Sequence, residues 1–164
     1  MRSLRPALFG VLASLIAPMA FACECVTVGN AQGGPELLVR SDLAIAPVIF
    51  LGKVTSVVDI SNPPGFPEGR SLTLQRRVTF AVEESWKGVR RGNFTVITGI
   101  GAGDCGFHFD VGIRYLVVTT DAHLYPQKEP QVGICSNTAK AETAQAYISV
   151  IRHMKTARPF VNSP

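Results

Sequence analysis

Four cysteines stand at Cys23, Cys25, Cys105 and Cys135, two of them one residue apart and the other two far downstream. The residues before them indicate their oxidation state. Met1–Ala22 reads as a secretory leader, with a basic start at Arg2 and Arg5, an apolar run from Ala7 to Ala17, and a small-x-small end at Ala20-Phe21-Ala22. Cleavage after Ala22 makes Cys23 the first mature residue, carrying a free α-amine and a thiol together. Four cysteines in an exported chain point to two disulfides, for which three pairings exist. A Cys23–Cys25 bond closes a tiny strained ring and is disfavoured. The two remaining pairings each tie one N-terminal cysteine to Cys105 and the other to Cys135. A bridge across roughly 80 residues stabilises a fold by about 4 kcal/mol in the chain-entropy model. Any fold this chain adopts must therefore bring its start to two distant loops.

Removing the leader leaves 142 of the 164 residues, enough for one domain with a real core. The formal charge falls from +4 to +2, with 14 basic and 12 acidic residues. So small a balance gives no reason to expect nucleic acid or an anionic membrane as partner. Arg76-Arg77 and Arg90-Arg91 are read as solvated faces. The apolar leader is too short to span a bilayer, and no other stretch approaches the roughly 20 apolar residues a spanning helix needs. The expectation is an exported protein, secreted or periplasmic, with no membrane association once the leader is cut.

Strand signals dominate the middle of the chain. The run from Val48 to Val58 is rich in β-branched residues. Ser61–Arg70 holds Pro63, Pro64, Gly65, Pro67 and Gly69 and reads as a long hairpin loop. Alternation follows: Val78, Phe80 and Val82 are expected to face inward, Arg77, Thr79 and Glu83 outward, with Trp86-Lys87-Gly88 closing the strand. Phe94–Thr98 and Ile113–Val118 predict two more strands, and a short fifth is expected around Val132–Cys135. Pro35–Leu43 reads as a short helix with Pro35 suited to its first turn. A longer helix is expected from a cap at Asn137 or Thr138 to about Lys155, packing Ala144, Tyr147, Ile148, Ile151 and Met154 on the sheet. Five short strands with a terminal helix suit a small closed barrel, whose closure removes exposed edges. Residues 157–164 read as a tail outside the domain.

Other motifs carry less. Gly101-Ala102-Gly103-Asp104-Cys105-Gly106 spells G-x-G-x-x-G after a strand, but the extended-looking Phe107-His108-Phe109 follows in place of the helix that a dinucleotide site needs. Its glycines are expected to let the backbone pass close to Cys23. The four cysteines with His108 lack the paired C-x₂-C knuckles of structural zinc, and export favours oxidation over metal binding. His123 and His153 are given no chemical role. No serine sits in a nucleophile elbow, so the chain is not read as an enzyme and no cofactor is expected. Lipidation also uses a cysteine directly after a cleavage site. However, Ala20-Phe21-Ala22 departs from the usual Leu-small-small pattern, and a modified Cys23 would leave an odd count of three cysteines.

In order along the chain, Cys23-Glu24-Cys25, Ser41–Val54, Val78–Gly88, Asp104-Cys105-Gly106, Tyr115-Leu116-Val117 and Gly133-Ile134-Cys135 resemble the successive blocks of the tissue inhibitors of metalloproteinases and of the netrin-like modules that share their OB-fold. The resemblance covers nearly the whole mature chain. It implies a mainly β protein: a five-stranded OB-fold barrel with a C-terminal α-helix packed on it and a short N-terminal helix, spanning residues 23–156 after a signal peptide at 1–22. It implies the pairing Cys23–Cys105 and Cys25–Cys135. It also implies a function as a protein inhibitor, in which the α-amine and carbonyl oxygen of Cys23 chelate the catalytic zinc of a partner metalloprotease.

The chemistry behind that expectation is simple. A catalytic zinc keeps one position open for water or substrate, and an amine whose ordinary pKa is about 8 becomes neutral at little cost. On this reading Cys23 is the warhead, Cys25 its anchor, and Glu24 the side chain that enters the pocket beyond the zinc, with Gly103 and Asp104 as neighbouring contacts. Glu24 stands where the family carries a small residue. A carboxylate in an apolar pocket is costly unless paired, which favours a target with a basic pocket. The alternative is a binding module of the same fold that engages another extracytoplasmic protein without touching zinc.

Overall fold

The computed structural model describes residues 25, 34–61, 73–101, 104–121, 124 and 128–156. Residues 1–24, which include Cys23 and Glu24, residues 62–72, Gly103, His123 and residues 157–164 lie outside them.

The protein is mainly β. Strands β1 (Ile49–Ser61), β2 (Thr73–Lys87), β3 (Gly92–Gly99), β4 (Arg114–Val118) and β5 (Ala139–Lys140) form one antiparallel sheet in the order β3-β2-β1-β4-β5. Helix α1 (Gly34–Ile45) precedes the sheet and α2 (Gln145–Thr156) follows it. The first four strands read from the sequence are present and pair in register: Val78 stands opposite Val57 and Val96, and Leu51 opposite Glu84 and Leu116. Val78, Phe80 and Val82 are buried while Arg77 is exposed.

Ile49–Gly52 of β1 and Tyr115–Val118 of β4 are buried on both faces, so successive residues along them serve different cores. Ile49, Leu51, Leu116 and Val118 pack beneath the helices with Val39, Tyr147, Ile148 and Ile151. Val48, Phe50, Val54, Tyr115 and Val117 turn to the other face, where they meet Val78, Phe80, Val96 and Phe109. Aromatic rings fill this second core edge to face: Phe50 on Phe80 and Phe94, and Phe109 on Phe80 and Tyr115. Such edge contacts set the positive rim of one ring against the negative face of the next.

Each helix follows from its sequence. α1 starts with Pro35 and Glu36 in its first turn, where a missing N–H and a negative charge are both favourable. It ends before Pro47, which disfavours helical geometry at Ala46. Its last carbonyls are met by Lys87, whose Nζ donates to Leu43 O at 2.8 Å and Ala44 O at 3.4 Å. Gly88 lets β2 end against this junction: its φ is +73°, and a Cβ there would stand 2.3 Å from Pro47 O. Tyr147, Ile148 and Ile151 of α2 bury one stripe that Ala144, just before the helix, continues, with Met154 packed beside it, as the spacing predicts.

Two sequence expectations are corrected at the C-terminal side. The fifth strand is not at residues 132–135, which contribute only an isolated bridge between Gly106 and Gly133. The strand is instead Ala139–Lys140, antiparallel to Leu116 and Tyr115. α2 therefore begins at Gln145, and neither Asn137 nor Thr138 caps it. The Thr138 hydroxyl instead accepts from Val118 N at 2.9 Å and donates to Val118 O at 3.1 Å, fastening the chain to β4. Hydroxyl-to-backbone bonding of this kind competes with helix formation. As for closure, the five named strands leave β3 and β5 as the ends of an open sheet.

Candidate functional site

Cys25 and Cys135 are joined by a disulfide, with Cα atoms 5.1 Å apart across a sequence separation of 110. Both residues are exposed. Cys105 is also disulfide-bonded. Cys23, Glu24 and Gly103 lie outside the described residues, whereas Cys25, Asp104, Cys105 and Cys135 are brought to one end of the sheet.

The two cysteine-bearing loops are held side by side by their backbones. Gly106 bridges Gly133, and Ile134 N donates to Cys105 O at 2.9 Å. Cys105 itself has a φ of +60°, a left-handed conformation that non-glycine residues seldom adopt. Asp104 stabilises the turn leading to it. Its Oδ2 accepts from Ile100 N at 2.8 Å, and its Oδ1 accepts from Gly101 N at 2.9 Å and Gly106 N at 3.0 Å. Partial burial pushes the Asp104 pKa up, but the N–H groups of Ile100, Gly106 and Gly101 outweigh this and hold it below the ordinary value. The carboxylate is thus engaged by its own loop.

The expected approach of these glycines to Cys23 lies outside the described residues. The described close approach is to Gly99: a Cβ on Gly106 would lie 2.3 Å from the Gly99 carbonyl carbon, and one on Gly99 would lie 2.2 Å from Asp104 Oδ2. Only glycine at both positions lets the strand end and the turn touch. Of the G-x-G-x-x-G glycines, Gly106 is the one that this close packing requires, and no helix follows it at residues 107–110.

Beneath the disulfide lies a buried polar joint that sequence reading missed. Asp42 of α1 is only 5% exposed. It accepts from Asn137 Nδ2 at 3.0 and 2.9 Å and from the Tyr147 hydroxyl at 2.9 Å. Burial raises the Asp42 pKa and outweighs these bonds; the Tyr147 hydroxyl is driven up by burial and by the facing carboxylate. The joint links α1, α2 and the loop two residues after Cys135. Its signal was present: Asp42 falls three residues after Val39, on the apolar stripe of α1. Above it opens a cleft of about 350 Å³ whose walls include Asp42, Cys105, Cys135 and Asn137, with the exposed apolar side chains Ile45 and Leu124 on it and Ile134 nearby.

His108 is engaged by Asp110 and Arg76. Its Nε2 lies 3.2 Å from Asp110 Oδ1 and its Nδ1 3.4 Å from Arg76. Lys140, then the hydroxyl of Tyr115 and His108, hold the Asp110 carboxyl below its usual range. His153 is exposed in the last turn of α2. Among the described residues, no cluster of three or more His, Cys, Asp or Glu side chains could hold a metal ion. No helix among them is long and apolar enough to cross a membrane.

No protein-family model matches the chain, and no curated protein matches it.

Proposed function

We propose that this chain is a secreted OB-fold protein of the netrin-like type that inhibits a zinc metalloprotease through its N-terminal cysteine. The observation that carries the reading is the Cys25–Cys135 bond beside the Gly106–Gly133 bridge. Two residues of chain span at most about 7 Å. A Cys23 made first by cleavage therefore keeps its amine and carbonyl within that reach of an anchored Cys25. Anchoring removes most of the entropy cost of ordering a wedge at binding. The amine and carbonyl of one residue close a five-membered chelate on the partner's zinc, and the protein needs no metal of its own.

Barrel closure is supported by the short segment at 130–132. Ile97 N donates to Pro130 O and Val132 N to Ile97 O, each at 2.9 Å, while Thr120 N donates to Gln131 O at 2.9 Å. This segment therefore bonds to β3 on one side and, on the other, to the residue two beyond β4, as a barrel requires. A reading as a binding module that leaves zinc untouched draws on Ile45 and Leu124, which are 67% and 44% exposed on the cleft, and on Ile134, 46% exposed beside the cleft residues Gly133 and Cys135. Apolar side chains grouped on a surface mark a contact for another protein.

One added alanine before Cys23 separates the two readings. The extension converts the amine to an amide nitrogen and is expected to abolish inhibition across a panel of zinc metalloproteases. Equal inhibition by the extended and native forms would rule out chelation and leave the binding module.

A further inference from the structure

A second concavity shares no residue with the cysteine end. It lies between the C-terminal halves of α1 and α2 and the end of β2, with a volume of about 640 Å³. That size falls in the range of small-molecule sites, roughly 300–1,000 Å³. Leu43, Trp86, Ile151 and Met154 make its wall apolar. Its rim carries Arg40 and Lys155.

The charges around it do not cancel. Arg40 is paired with Glu36, and Arg152 on the adjoining hollow is paired with Glu84. Lys155 Nζ donates to Ser85 O at 2.9 Å, and Lys87 Nζ donates to the end of α1. A carbonyl satisfies a hydrogen bond without neutralising an ammonium. Among the described residues Lys155 makes no ion pair, so its charge stands uncompensated beside the apolar wall, while Arg91 lies on the adjoining hollow near Glu84 and Lys87 at the end of α1. Peptide recognition by strand addition is poorly served, because the wall is made of helix and side chain and offers no free sheet edge.

From this pairing of an apolar wall with an uncompensated cationic rim, we infer that the groove binds a linear aliphatic carboxylate. The chain lies along Trp86, Leu43 and Met154, and the carboxylate meets Lys155 at the rim. The site is independent of the protease-inhibitor reading.

Trp86 is the chain's single tryptophan, so its emission reports the site directly. The full chain, exported through its own leader and kept oxidised, is titrated with dodecanoate below the micellar concentration, with dodecyltrimethylammonium as the charge-reversed control. The expected result is a saturable blue shift with dodecanoate and none with the cation. Lys155→Glu is expected to weaken binding about tenfold, twice the logarithmic effect of losing one exposed ion pair. Ala44→Phe, at an exposed position on the groove, fills it without touching the core and is expected to abolish the shift while leaving the unfolding midpoint in place. Equal response to both amphiphiles, or wild-type affinity in both variants, would overturn the proposal. So would an emission that changes with protein concentration alone, which assigns the groove to a second copy. A shift seen only with anionic lipid vesicles would assign it to a membrane surface and overturn it equally.

Discussion

At the cysteine end of the sheet, Cys105 and Cys135 are held by disulfides, a glycine-to-glycine bridge and a carboxylate that collects three backbone N–H groups. Beneath the helices, by contrast, Val39, Leu51, Leu116, Ile148 and Ile151 are each no more than 1% exposed and hold the fold chiefly by apolar burial, to which the Tyr147–Asp42 bond adds one buried polar contact. The first region depends on particular atoms at particular places, and a single change of residue type removes a fastening. The second depends on volume and hydrophobicity, which several residues can supply. A surface that must meet a partner in one geometry is better built the first way. A scaffold that must simply stay folded is adequately built the second way.

The contrast can be broken most forcefully at the disulfide. The double variant Cys25→Ser, Cys135→Ser removes a cross-link over 110 residues and is expected to cost roughly 4.5 kcal/mol. Denaturant unfolding checks this, and hydrogen exchange should show the loss of protection concentrated around residues 133–137. Uniform loss over the helices as well would mean the two regions are one cooperative unit. Ile148→Ala tests the other side: truncating a fully buried side chain of α2 is expected to cost about 3.5 kcal/mol, read from the shift of the denaturation midpoint. Inhibition or partner binding through the cysteine end should survive that substitution at temperatures where the variant is folded.

Gly106→Ala sharpens the geometric claim. Its new Cβ meets the Gly99 backbone, which cannot move without parting the cysteine loops, and the expected cost is about 2.5 kcal/mol. A stability within error of wild type would show that the crossing is slack. Asp104→Asn has the smallest expected effect, about 2 kcal/mol at neutral pH for weakening charge-assisted bonds. Here the sign with pH is diagnostic. The folded-state pKa of Asp104 is below the ordinary 3.8. Its contribution is therefore full above that value and lost as pH falls through the folded pKa. The stability gap between wild type and variant should be constant near pH 7 and close below about pH 4. A gap that persists at lower pH would mean that the carboxylate charge is not what fastens the turn.

The helix face was read from the sequence almost as it stands. Spacing at Ala144, Tyr147, Ile148 and Ile151 announces a buried stripe, and alternation at Val78, Phe80 and Val82 announces a half-buried strand, because burial imposes the period of the element. The segment from Val132 to Lys140 resisted the same reading. Its β-branched Val132 and Ile134 suggested a strand, and Asn137 and Thr138 suggested a cap. Each of those polar residues found a partner far along the chain: Asn137 on Asp42, and Thr138 on Val118. A short polar side chain serves equally well as a cap, a turn or a strand fastener, and only the surrounding fold selects among these.

The sequence alone therefore determined the first four strands, the stripe of α2, and the presence of four cysteines behind a leader-like segment, because these depend on local period and composition. The tertiary structure decided that Asp42 is a buried joint, that Asp104 turns inward to its own loop, that Gly99 and Gly106 cross, and that Trp86 lines a groove between the helices. The Asp42 joint and the Trp86 groove rest on contacts between residues distant in sequence, whereas the Asp104 turn and the Gly99–Gly106 crossing are local but depend on a backbone path that residue type alone does not specify.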